Sequence, residues 1–205
     1  MFNSHRILCA GLLALAAGGA TAADLSPGYV GASYNVGTSY TLPCTGGDEC
    51  QTQAHSGGKV YAGYTLGAET LFGMDDIHAI EFGLFDFGRV REVMPGFGYM
   101  NRSVSGATLT YASALKLSDA WSFDTRFGLA YVRSKSNFVD TEHGITYDSS
   151  THIKFGPTAG LGLAYALDKH WALTADADYL PIKFGSGEPS SHHVNTISLG
   201  AAYHF

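Results

Sequence analysis

Residues Asn195 to Phe205 read N-T-I-S-L-G-A-A-Y-H-F. Ile197, Leu199, Ala201, Tyr203 and Phe205 take the odd positions, while Thr196, Ser198, Gly200, Ala202 and His204 take the even ones. A period of two sends these sets to opposite faces of a β-strand. The odd face becomes larger and more aromatic toward Phe205. Terminal residues of a sheet in water usually fray, so nothing there favours an apolar aromatic ending. A strand that stops at a lipid–water boundary does favour one, because aromatic rings settle at that interface.

The alternation recurs upstream. Val30, Ala32, Tyr34 and Val36 share a face of Tyr29 to Val36, and Val60, Ala62, Tyr64 and Leu66 share one of Lys59 to Leu66. Ile80, Phe82 and Leu84 do so within His78 to Phe85, and Leu109, Tyr111 and Leu115 within Val104 to Leu117. Trp121 to Val132 is the clearest, with Trp121, Phe123, Phe127, Leu129 and Tyr131 opposing Ser122, Asp124, Arg126, Gly128 and Ala130. Thr158 to Leu167 and Trp171 to Leu180 repeat the pattern, so the closing stretch makes eight. Each is near the roughly 9–11 residues that cross a bilayer as a tilted strand. Tight turns are expected at Met74 to Ile77, Ser118 to Ala120 and Asp168 to His170. Long polar loops are expected at Gly37 to Gly58, Gly88 to Ser103, Arg133 to Lys154 and Phe184 to His192. Short turns at one end and long loops at the other is the outer-membrane pattern, with both chain ends on the periplasmic side.

Which face is inside decides the class. The polar face is built from Gly, Ala, Ser and Thr, too small for a dense apolar core. The opposite face carries Leu, Phe, Tyr and Trp. Small inside and large apolar outside suits a barrel whose solvent is lipid. The expected fold is therefore all-β: an eight-stranded antiparallel up-and-down transmembrane barrel. Eight strands enclose a lumen just wide enough for side chains, which disfavours a wide pore.

Composition agrees. Of the 205 residues, 15% are charged, against about 25% in an ordinary water-soluble domain. A net charge of −6 with no basic, aromatic-interleaved run excludes nucleic acid as a partner. Residues 1–23 form a separate text: Arg6, the apolar run Ile7 to Ala17, then Ala20-Thr21-Ala22. This is the pattern of a cleaved secretory signal peptide and leaves 24–205 as the barrel domain. Cys9 falls within it, after bulky Leu8, and does not suit lipid attachment. Export to an oxidising compartment makes a Cys44–Cys50 disulfide the first expectation for the remaining thiols.

Taken together, Y-V-G-A-S-Y at 29–34, F-G-L-A-Y at 127–131, G-L-G-L-A-Y at 160–165 and S-L-G-A-A-Y-H-F at the end resemble the OmpA-like and opacity-type small outer-membrane barrels. The resemblance runs the length of the mature chain. It implies residence in the bacterial outer membrane and contact with its lipid and lipopolysaccharide. The ending, with Tyr203 and Phe205, resembles the sorting signal read by the outer-membrane assembly machinery. No peptidoglycan-binding domain follows Phe205, so wall anchoring is not implied.

Inward parity places Glu81, Lys116, Asp124, Arg126, Asp176 and Asp178 in the lumen. Unpaired charge there is costly, so Arg126 is expected to pair with Glu81 or Asp124 as a plug. Family members resemble this arrangement. The rival reading of these residues is a gated ion path. Nine His are scattered, with His192 and His193 pointing opposite ways if extended, so neither a metal nor a cofactor is expected. A lipid A-modifying enzyme is the other rival. Glu188, Ser191 and His193 share the last long loop, but one Gly/Pro/Ser-rich loop holds a nucleophile and its base poorly. The expectation is no catalytic site. The sequence suits an envelope-structural protein whose exposed loops could meet host or neighbouring-cell ligands. Arg89, Arg91 and Lys183, near the outer rim, could meet lipopolysaccharide phosphates.

Overall fold

The computed structural model describes residues 27–43, 49–54, 57–94, 98–140, 143–147, 150–183 and 192–205. The expected signal peptide and Cys44, Glu188 and Ser191 lie outside them, and the side chain of Cys50 is likewise not described. Ten strands occur in this part: β1 Gly28–Pro43, β2 Glu49–Ala54, β3 Gly58–Leu71, β4 Met74–Met94, β5 Gly98–Lys116, β6 Trp121–Asp140, β7 Ile145–Thr146, β8 Ser150–Ala166, β9 Trp171–Pro181 and β10 His193–His204. Eight make a closed antiparallel ring in the order β1-β3-β4-β5-β6-β8-β9-β10, and β10 returns to β1. The closing pair runs from Tyr29 opposite His204 to Tyr40 opposite Val194. β2 folds back on the far end of β1, and β7 pairs with the far end of β6.

Two expectations about connections change. The first turn is Phe72-Gly73, with φ of 54° and 81°, and Met74 to Ile77 belongs to β4. Two residues at positive φ form the hairpin turn whose twist matches that of the strands it joins. The long loops are also shorter than expected. β4 runs to Met94 and β5 starts at Gly98, so Gly88 to Ser103 is largely a paired hairpin. Likewise β6 continues to Asp140 and β8 begins at Ser150. Polar strands beyond a membrane stay paired because unpaired backbone groups gain nothing by leaving the ladder.

The large apolar residues face outward. Phe127, Leu161 and Leu199 are 56%, 55% and 54% exposed, which only a hydrocarbon solvent makes favourable. Two aromatic bands bound this surface. At the short-turn end Trp121 packs on Tyr165 with centroids 4.9 Å apart, and Tyr203 lies 5.1 Å from Trp171 and 5.7 Å from Phe205. At the other end Tyr131 meets Phe155 at 5.2 Å.

The lumen departs from expectation in its long-loop half. Tyr40, Phe85, Phe87, Val90, Val104, Ala130, Val132, Leu180, Ile182 and Val194 form a buried apolar core there. The inference from small residues holds only toward the short turns, where a cavity of about 350 Å³ opens. The cause is visible in the ladder. Bulges at Asn35/Gly37 and Asp86/Arg89 shift the register, so Tyr40 and Val90 turn inward although simple alternation would send them out.

Candidate functional site

Between the apolar core and the cavity lies a layer of charge. Arg126, on β6, is almost fully buried. Its Nη2 donates to Asp176 Oδ1 on β9, and its Nη1 lies 3.8 Å from Glu81 Oε1 on β4. Space for the guanidinium comes from β8. A Cβ at Gly162 would stand 2.6 Å from Asp176 Oδ1 and 2.8 Å from Arg126 Nη2. Gly160 and Gly162 face Arg126 and Asp124 across the β6–β8 ladder, so they serve packing where a bulkier residue would evict the ion pair.

Two further groups complete the layer. Tyr29 Oη donates to Glu81 Oε2 at 3.1 Å, and Ser122 Oγ to Asp124 Oδ1 at 3.0 Å. Lys59 Nζ meets Asp178 Oδ2 at 2.9 Å, both largely buried. Four carboxylates thus share two cations among the described residues, and hydroxyl donors fill in where cations are lacking. Removing one partner of such a set leaves an uncompensated buried charge, whereas the intact set roughly offsets its own desolvation.

The structure therefore brings together Glu81, Arg126 and Asp176, places Asp124 beside them, and gives Asp178 a separate partner. Arg126 pairs with Asp176 and Glu81, not with Asp124. Lys116 is not in the layer. It is the last residue of β5, exposed at the rim of the cavity, where water can solvate it. Lys59 and Tyr29 were missed although Lys59 has the same parity as inward Tyr61 and Gly63. Their partners are distant in sequence, and only barrel closure brings them near. Tyr203 and Phe205 sit in the aromatic band described above. Arg89 and Arg91 are exposed at the far end of β4, where Arg91 lies over the Tyr99 ring at 4.3 Å; Lys183 is half-buried. His193 stacks on Tyr179 at 5.1 Å.

A closed ring, lipid-type outer surface and filled lumen are the features of one class of protein. The family model for the outer membrane protein beta-barrel domain matches residues 7–205. The chain belongs to this family. This outer-membrane barrel resides in the bacterial outer membrane, and its short turns mark the periplasmic end. Among solved structures it is similar to Ail, the attachment invasion locus protein of Yersinia pestis, with 14% identity over 88% of this chain and 100% of that one, at a TM-score of 0.52. It is also similar to neisserial surface protein A, with 12% identity over 88% and 98% of the two chains and a TM-score of 0.55. At these identities the likeness is one of fold. No curated protein gives a significant sequence match.

Proposed function

We propose that this outer-membrane barrel is a non-enzymatic, non-conducting envelope protein that presents hairpins at the cell surface. The observation carrying this reading is the stacked filling of the lumen. An ion entering from the periplasm would reach the cavity, then the Arg126 layer, then an apolar core that includes Phe85, Phe87 and Val132. Shedding water at that core costs far more than a local charge repays. Planar bilayers containing the refolded protein are expected to stay silent, for the Arg126→Ala variant as well as the wild type. Discrete conductance steps in the wild type would instead establish the small-channel reading.

Surface presentation is favoured by the hairpins. β4–β5 and β6–β8 stay paired well beyond the outer aromatic band, to Met94 opposite Gly98 and Ser136 opposite Ser150. Arg89, Arg91, Arg133 and Lys135 are exposed just above that band on β4 and β6, where β5 brings Ser103 opposite both Arg89 and Lys135. Such a patch suits lipopolysaccharide phosphates. The partners proposed are thus outer-membrane lipid and lipopolysaccharide, the assembly machinery acting on the Tyr203–Phe205 ending, and, through the hairpins, a ligand on host or neighbouring cells. Exchanging all four cations for Ser should reduce lipopolysaccharide retained on purification, and unchanged retention would remove that partner. Lipid A of altered mass on overexpression would overturn the non-enzymatic part. The Cys44–Cys50 staple and the cleaved leader 1–23 belong to this proposal and are checked by intact mass with and without reductant.

A further inference from the structure

We propose that Glu69, Asp76 and His78 form a site for a divalent cation of the zinc class on the outer wall of the barrel, beside the periplasmic turn of the β3–β4 hairpin. Glu69 lies directly opposite Asp76 in the ladder, and His78 follows two residues later on the same face. Its Nε2 is 3.1 Å from Glu69 Oε1 and 3.9 Å from Asp76 Oδ2. The three donor atoms lie within 4.8 Å of one another. An ion with bonds of about 2.0–2.2 Å holds its ligands roughly 3–4 Å apart, so this set needs little movement to close on one.

Two observations distinguish this cluster from an exposed acidic patch. His78 Nε2 is buried, and its nearest oxygen, Glu69 Oε1, lies outside hydrogen-bond geometry. The Asp76 side chain is only 6% exposed, and Ser113 Oγ donates at 2.7 Å to its other oxygen, Oδ1. A buried imidazole nitrogen and a largely buried carboxylate thus face a common point. The surrounding groups are those that orient metal ligands. Tyr111 Oη is 2.7 Å from His78 Nδ1 with the rings stacked at 5.6 Å. In the tautomer whose Nδ1–H donates to Tyr111, the Nε2 lone pair is directed at the two carboxylates, and a bound cation would fix that tautomer. Glu69 is exposed, so a fourth position stays open to water. One imidazole with two carboxylates suits zinc and its neighbours better than calcium or magnesium, which prefer oxygen alone.

The experiment uses the refolded full chain in detergent, stripped of metal and titrated with Co²⁺ and then Zn²⁺. One equivalent of Co²⁺ is expected to give the visible absorption of a low-coordinate site, and Zn²⁺ to abolish it. His78→Ala should lose the signal. Glu69→Gln, a change at an exposed position, should weaken binding at least tenfold while the barrel still folds. Ser113→Ala should weaken it by about 10–100-fold, the range for orienting groups. Asp140→Asn, which breaks the exposed Asp140–His143 pair, should change nothing. Heat-dependent gel mobility reports folding of every variant. Absence of saturable binding in the wild type, or undiminished binding in a folded His78→Ala or Glu69→Gln protein, would overturn the proposal.

Discussion

Arg126 shows how a single side chain holds the middle of the barrel. Arg126→Ala would strand Glu81 and Asp176 in a lumen that water reaches poorly, and breaking a buried pair costs about 3–5 kcal/mol. Equilibrium urea unfolding in lipid vesicles should register a loss of that order. Gly162→Leu should also destabilise the barrel, because its side chain must occupy the space of the same ion pair. At the periplasmic turn, Asp168 Oδ1 accepts from the backbone N–H of His170 and Trp171 at 2.7 and 2.8 Å, and these bonds hold its carboxyl below the usual carboxylate range. A depressed folded-state value means the contribution is fully present above the unfolded carboxylate pKa, about 3.9, and is lost as pH falls through the folded one. The drop in urea midpoint between neutral pH and pH 3 should therefore be smaller in Asp168→Ala than in the wild type.

At the scale of the strand, parity carries most of the information, and it fails where the ladder slips. Trp121 to Val132 contains no bulge, so its inward Asp124 and Arg126 and outward Phe127 and Leu129 were legible from alternation alone. The alternation read from sequence in β4 covered only His78 to Phe85. Gly88, at φ 75°, sits in the bulge that turns Val90 inward, and a lone Gly within an alternating run was the available signal. The pairing of Glu69 with Asp76 was hidden for another reason. A turn placed at Met74 to Ile77 removes Asp76 from the strand, whereas the observed Phe72-Gly73 turn sets it opposite Glu69. That turn is testable. Gly73→Ala puts a Cβ at φ 81° and should cost about 1 kcal/mol or more, seen as a lower unfolding midpoint. On β8, Leu161 lies between the bands marked by Tyr165 and Phe155, so Leu161→Arg should cost about 2–4 kcal/mol in a bilayer.

For the whole molecule, closure is what the last strand provides. β10 joins β9 to β1, and until it docks both neighbours expose unpaired edges. The eight stretches and their order could be read from the amino acids, and so could the lipid-facing surface. Of the lumen, the charged tier was legible in its inward residues, but the apolar tier and the cavity were not, because each is assembled from strands far apart in the chain. The staves of this vessel are also unequal: β4, β5 and β6 have 21, 19 and 20 residues, against 11 and 12 for β9 and β10. Among the described residues, the strands of one flank therefore rise well above those of the other. The described ladder thus has a front and a back, and a large visitor approaching the bilayer meets the paired backbone of β4, β5 and β6 first.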